Sequence, residues 1–174
     1  AARAAMDLLT DAVLQSNALE GKTALVCGAS RGIGAATARI MAKAGANVIV
    51  ASRTEDQLKS LLEELPALGA GHHQALVMDL EDTESIAECI QPLLNQGPIH
   101  ILVNNSGGPP GGPLLDATVD ELSQPFTRHL HAAHTLVKLL TPGMVLANYG
   151  RIIQIISTSV REPIPNLGVS NTLR

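Results

Sequence analysis

The sequence predicts a doubly wound α/β fold, and three observations carry that expectation. Short apolar runs alternate with stretches of helical periodicity from Lys22 onward. The apolar runs lack clean polar alternation, as strands do when both faces of a parallel sheet are covered. A glycine-rich turn stands where the first strand should pass into the first helix.

Thr23–Cys27 (TALVC) reads as the first, fully buried strand. A helix is expected over Gly34–Ala44, with Ala and Ile toward the sheet and Gly45 as its stop. Asn47–Ser52 is the second strand, and a helix from Glu55 to about Leu65 ends at Pro66. Gln74–Asp79 reads as the third strand, and Asp82 as the cap of a helix reaching about Gln96, where Gly97-Pro98 breaks the chain. Ile99–Asn104 is the fourth strand. After the loop Gly107–Pro113, one long helix is expected from about Asp120 to Leu140, then a fifth strand over Arg151–Ile156. Right-handed crossovers give the doubly wound fold, and the strands are expected in the order 3-2-1-4-5. Residues 1–18 read as a weakly amphipathic helical extension, and 19–174 as the single domain that 174 residues allow.

Composition narrows the function. Hydrophobic residues make up 45% and charged ones 16%, too apolar for disorder. The net charge of −4 gives no pull toward nucleic acid or an anionic membrane, and no apolar run approaches the roughly 18 residues that span a bilayer. Two cysteines, Cys27 and Cys89, read as buried thiols suited to a reducing cytoplasm, with no metal site implied. The pair His72-His73 reads as solvated loop. His131 and His134 share a helix face but have no neighbouring carboxylate, which argues against a metal.

The most specific motif is Cys27-Gly28-Ala29-Ser30-Arg31-Gly32-Ile33-Gly34. Glycines permit the tight turn, let backbone N–H groups approach a pyrophosphate and let helix pack on strand, while the helix N-terminus favours the anion. The end of the second strand selects the cofactor. A carboxylate there would accept from a 2′-hydroxyl and repel a 2′-phosphate. The chain instead reads Ala51-Ser52-Arg53, with Arg31 nearby in the loop, so NADP(H) is expected.

These residues carry a resemblance. GASRGIG is similar to the glycine motif of the short-chain dehydrogenase/reductase family, a Rossmann-fold family. Asp79-Leu80, Asn104-Asn105-Ser106-Gly107 and Gly150–Ser157 match further family stretches in the same order. The loop Ser106–Pro113 looks most like that of 3-oxoacyl-[acyl-carrier-protein] reductases. The resemblance implies that Asp79 accepts from the adenine amino group and that Asn105, Ser106 and Gly107 line the adenine ribose. It also implies a small carbonyl or hydroxyl substrate. A homodimer or homotetramer is implied too, paired through the long helix before the fifth strand and the helix after it, with Leu130, Val137 and Leu140 as apolar contacts on the first. Family members are longer, so further strands are expected beyond Arg174.

The family's catalytic set is only partly present. Ser157 matches the serine that polarises a carbonyl. Where the family has tyrosine and, four residues on, lysine, this chain has Ser170 and Arg174; where it has a helix asparagine, the chain has His129. The sole tyrosine, Tyr149, precedes the fifth strand and so falls roughly 20 Å from the carboxyl end, where ligands bind. Three readings stand open: a reductase whose proton comes from Ser157, water or His129; a catalytically weak homologue that binds NADP(H) as sensor or partner subunit; or a different reaction in the same pocket.

Overall fold

The computed structural model describes residues 17–174, so the extension expected over 1–18 lies, except for Asn17 and Ala18, outside the described residues. Five parallel strands form one sheet in the order β3-β2-β1-β4-β5. They are β1 (Thr23–Cys27), β2 (Asn47–Ser52), β3 (His73–Val77), β4 (Ile101–Asn104) and β5 (Arg151–Gln154). The helices are α1 (Gly32–Lys43), α2 (Glu55–Glu64), α3 (Ser85–Leu94), α4 (Val119–Phe126), α5 (Ala132–Leu146) and α6 (Gly168–Leu173). No helix among the described residues is long and apolar enough to cross a membrane.

Two cores explain the missing alternation. Ala24 and Val26 of β1 pack on one face with Ala35, Ala38 and Ala42 of α1 and Leu58 and Leu61 of α2. Leu25 and Cys27 point to the other face, against Ile86 and Ile90 of α3 and Leu136 and Leu140 of α5. Every residue of β1 after Thr23 is therefore buried. Truncating Leu25 or Leu102, both fully buried, would cost about 2–5 kcal/mol in transfer and cavity energy.

Several boundaries and faces differ from expectation. Alanines and Met41 alone pack α1 on the sheet, because the small side chains permit close approach; Ile33 and Ile40 face outward. β3 starts at His73, whose Nδ1 accepts from the Val48 amide at 3.2 Å, so this histidine is a ladder-edge partner and not solvated loop. The β4 ladder begins at Ile101, although the His100 amide already bonds the Thr23 carbonyl. Asp82 Oδ1 does accept from the Ser85 amide at 3.3 Å, but helical geometry starts only at Ser85. Cys89 is half-buried, unlike Cys27.

The long helix is three pieces. A capping box starts α4: the Thr118 hydroxyl accepts from the Glu121 amide while the Glu121 carboxylate accepts from the Thr118 amide at 2.8 Å. Pro125 then cannot donate to the turn before it, and the chain widens into a π-turn over Thr127–His131 before α5 resumes. Leu140 is wholly buried and Val137 packs on the same core, so of the three residues expected to pair subunits only Leu130 is exposed. β5 stops at Gln154 because its neighbour β4 ends at Asn104; the last ladder bond is from the Ile155 amide to the Asn104 carbonyl.

Candidate functional site

The strand order reverses between β1 and β4, which opens a crevice at the carboxyl end of the sheet. The glycine turn lies there. Gly28 has φ +59°, and a Cβ on it would stand 2.6 Å from the Asn105 carbonyl oxygen. A Cβ on Gly34 would strike the Gly28 carbonyl, so α1 can approach the turn only without a side chain at that position. Asn105 Nδ2 donates to the carbonyls of Cys27 and Gly28, at 3.3 and 3.2 Å, and so ties the end of β4 to the turn. Arg31 precedes α1 in extended conformation, and no side chain caps the helix. The first amides of α1 are therefore left for an anion.

A cavity of about 570 Å³ extends from this turn. Gly28, Ser30, Arg31, Gly32, Ile33, Ser52, Arg53, Asp79, Leu80, Asn105, Ser106 and Gly107 all line it; of the residues expected to bind cofactor only Gly34 does not, its part being the close approach of α1 to the turn. Ser52 Oγ accepts from the Thr54 amide at 3.1 Å and fixes the turn that presents Arg53. Arg53, 60% exposed, lies 3.9 Å from both Asp79 and Glu81. Carboxylates are thus present beside it after all, contributed by the end of β3 and the loop beyond and not by β2. Arg128, which sequence reasoning missed, lines the same cavity and pairs with Glu81 at 2.9 Å.

A second cavity, of about 390 Å³, opens between the ends of β4 and β5 and the π-turn. Asn104, Asn105, Ser106, Arg128, His129, His134, Gln154 and Arg174 are its polar lining residues, and Leu130, Val137, Ile155 and Ile156 supply apolar wall. Ser106 Oγ and His129 Nδ1 share a hydrogen bond of 2.7 Å. Burial, then Arg174, then Arg128 push the His129 imidazole down to about 4, so the ring is neutral at pH 7 and not the imidazolium acid that an ordinary histidine would offer. Its Nε2 is buried without a hydrogen-bond partner. Arg174 Nη2 donates to the Ile155 carbonyl at 3.3 Å, and burial followed by the charge on Arg128 lowers its pKa.

The other catalytic candidates sit apart from this cavity's wall. Ser157 Oγ accepts from the Ser159 amide at 3.1 Å and caps a short 3-10 turn. Ser170, on α6, is 5% exposed. Neither lines either cavity. Tyr149 lies at the opposite end of the sheet, its ring between Lys22 and Arg151 and edge-on to His100. His131 packs edge-on against Phe126, and no cluster of three potential metal ligands occurs among the described residues.

A doubly wound sheet with a glycine turn and an uncapped helix at its switch point has the build of a dinucleotide-binding domain. Residues 22–169 match the short chain dehydrogenase family, and the chain belongs to that family. It is 34% identical over 147 residues to the ketoacyl reductase HetN of Nostoc sp., covering 84% of this chain and 51% of that protein. L-Sorbose reductase from Gluconobacter frateurii, solved with NADPH and L-sorbose, superposes with a TM-score of 0.84 at 26% identity, covering 89% of this chain and 59% of that one. A 3-oxoacyl-(acyl-carrier-protein) reductase from Agrobacterium tumefaciens C58 with NADP bound gives 0.84 at 28% identity, covering 92% and 62%. The chain spans about half the length of the curated relatives it matches.

Proposed function

We propose that this chain is the cofactor-holding part of an NADP(H)-dependent oxidoreductase that interconverts a carbonyl and a hydroxyl group on a small or acyl-type substrate. The observation that carries the reading is the cavity at the glycine turn, whose lining includes two guanidiniums, Arg31 and Arg53, that could answer a 2′-phosphate. Relatives and structural neighbours named as NADP-bound reductases support the same choice.

NADP(H) bound there supplies or accepts hydride. The first amides of α1 would hold the pyrophosphate, Asp79 the adenine amino group, and Arg174 the nicotinamide-side hydroxyls. With Ser106 donating to Nδ1, the neutral His129 ring carries its proton on Nε2 and polarises the carbonyl as a hydrogen-bond donor. A neutral imidazole with a lowered pKa is chemically suited to that task. Ser157 and Ser170 then act by shaping the loop and α6. The soluble dimer or tetramer and cytoplasmic setting expected from the sequence belong to this same proposal.

The absence of a tyrosine at the cavity favours a second reading, an NADP(H)-binding homologue with little turnover. Nicotinamide absorbance, followed with NADPH against a panel of ketones and 3-oxoacyl thioesters, decides between them. Turnover that falls at least tenfold in His129→Ala but not in Ser157→Ala supports the first; NADPH binding without turnover supports the second. Failure to bind NADPH refutes both.

A further inference from the structure

Arg53 and Arg128 both line the cavity at the glycine turn, whose lining runs from Cys27 to Arg128, and a single carboxylate oxygen stands between them. Glu81 Oε1 lies 2.9 Å from Arg128 Nη1 and 3.9 Å from Arg53 Nη1. The loop after β3 fixes it there: Asp79 Oδ1 accepts from the Glu81 amide at 2.9 Å, while Asp79 Oδ2 faces Arg53 at 3.9 Å. Exposure falls along this row, from 60% for the Arg53 side chain to 32% for Glu81 and 18% for Arg128. The inner pair is therefore screened less by water and salt than the outer one. Glu81 itself is not in the lining, so its charge reaches a ligand only through space and through the two arginines. A 2′-phosphate taken by Arg53 would bring further negative charge close to this carboxylate, and the repulsion would oppose binding. Arg128 is the group that offsets it, reaching Glu81 from the π-turn across 47 residues of chain.

We propose that Glu81 and Arg128 set how strongly this cavity prefers NADPH over NADH: Glu81 opposes the 2′-phosphate, and Arg128 holds that opposition down. This rests on the NADP(H) reading, and it adds two residues to the arginines that the glycine turn and the end of β2 offer the phosphate. Arg128 is here a positioning residue, because it acts on cofactor choice through Glu81. Without it, Glu81 would have only the more distant Arg53 as its partner, and would draw that guanidinium away from the phosphate. NADH carries an uncharged hydroxyl at the same place, so the pair bears on it far less.

The test measures NADPH and NADH affinities by calorimetry at low salt in the unmodified protein, Glu81→Gln, Arg128→Met and the double variant. Glu81→Gln should tighten NADPH about threefold and leave NADH within about twofold. Arg128→Met should weaken NADPH about tenfold and NADH much less, and Arg128→Lys should recover most of that loss. In the double variant, NADPH affinity should return to within about twofold of Glu81→Gln alone, because no carboxylate is left for Arg128 to offset. The double variant removes both charges of the inner pair, so its comparison with Glu81→Gln stands even if Arg128→Met alone does not fold. A loss of NADPH binding that persists undiminished when Arg128→Met is added to Glu81→Gln overturns the inference and makes Arg128 a direct contact to the cofactor. Equal effects on NADPH and NADH overturn it too, and leave the pair a structural tie. The NADP(H) reading survives either result; it falls, together with this inference, if the unmodified protein does not bind NADPH.

Discussion

Replacing Arg53 by aspartate should reverse the choice between NADPH and NADH. Two unit charges about 4 Å apart interact by roughly 1 kcal/mol in bulk water and about 4 kcal/mol at an effective dielectric of 20. The Arg53 side chain is 60% exposed, and Asp79 and Glu81, each 3.9 Å away, already draw on its charge. The lower end of that range is therefore the right one, and NADPH should be preferred by about tenfold, or about 1.4 kcal/mol. Arg53→Gln removes the attraction and should leave the two cofactors nearly equal, with Arg31 as the remaining contributor. Arg53→Asp adds repulsion among three carboxylates and a phosphate, and should favour NADH by about tenfold. Quenching titrations are unsuited to a chain without tryptophan, so the assay is calorimetry or the fluorescence of the nicotinamide itself. Raising salt from 0.05 to 0.5 M should shrink the preference in the unmodified protein, because the group is exposed. Equal affinities at low salt in the unmodified protein would refute the argument.

Three further outcomes follow from the same geometry. Gly34→Ala drives a Cβ into the Gly28 carbonyl, so it should cost about 1–3 kcal/mol in urea unfolding and weaken NADPH binding; an unchanged midpoint and affinity would mean that the turn yields freely. The folded chain keeps His129 near 4 while the unfolded chain titrates it at an ordinary 6.5, so the unfolded state takes up the proton first; stability is complete above pH 6.5 and falls as pH drops toward 4. Discounted for water reaching a half-buried ring, the loss is about 1–2 kcal/mol; His129→Asn should flatten that slope in part, since burial lowers His73 and His100 in the same direction, and an identical slope would contradict it. Iodoacetamide should label Cys89 in the native protein and spare Cys27, whose thiol burial pushes up to about 12; labelling of Cys27 first, read by mass spectrometry, would count against the packing of β1.

The sheet was legible because β1, β2 and β4 are apolar for a single reason, burial on both faces, and that reason shows in a short window of sequence. What failed depends on company. Ile40 looks like a core residue until it is known that alanines bring α1 too close to the sheet for it. His73 looks like loop until β2 is laid beside it and the Val48 amide needs an acceptor. The start of α4 was different, since Thr118 and Glu121 spell a capping box in the sequence itself, and that signal was available to be read. Most residues of the cavity at the glycine turn lie just beyond the ends of β1, β2, β3 and β4, where topology gathers them, while Gly32 and Ile33 come from the start of α1 and Arg128 from the π-turn. The carboxylates beside Arg53 were not foreseen, since they come from the end of β3 and the loop after it, more than 25 residues along the chain.

The chemistry at the second cavity turns on pairs that no local pattern reveals. Ser106 and His129 are 23 residues apart, and Arg128 meets Glu81 across 47. Read singly, His129 is a neutral-range acid, Arg174 a substitute for lysine and Ser157 the group that polarises a carbonyl. Together they have different properties. Burial first, then the guanidiniums of Arg174 and Arg128, deny His129 its charge, so the ring carries one proton on a single nitrogen and not one on each. Ser157 accepts from the Ser159 amide and lines neither cavity. An enzyme built this way would have moved polarisation of the carbonyl from the loop after β5 to the π-turn after α4. That placement is coherent, because a π-turn displaces one side chain from its helical row, and His129 is the residue so placed beside Ser106.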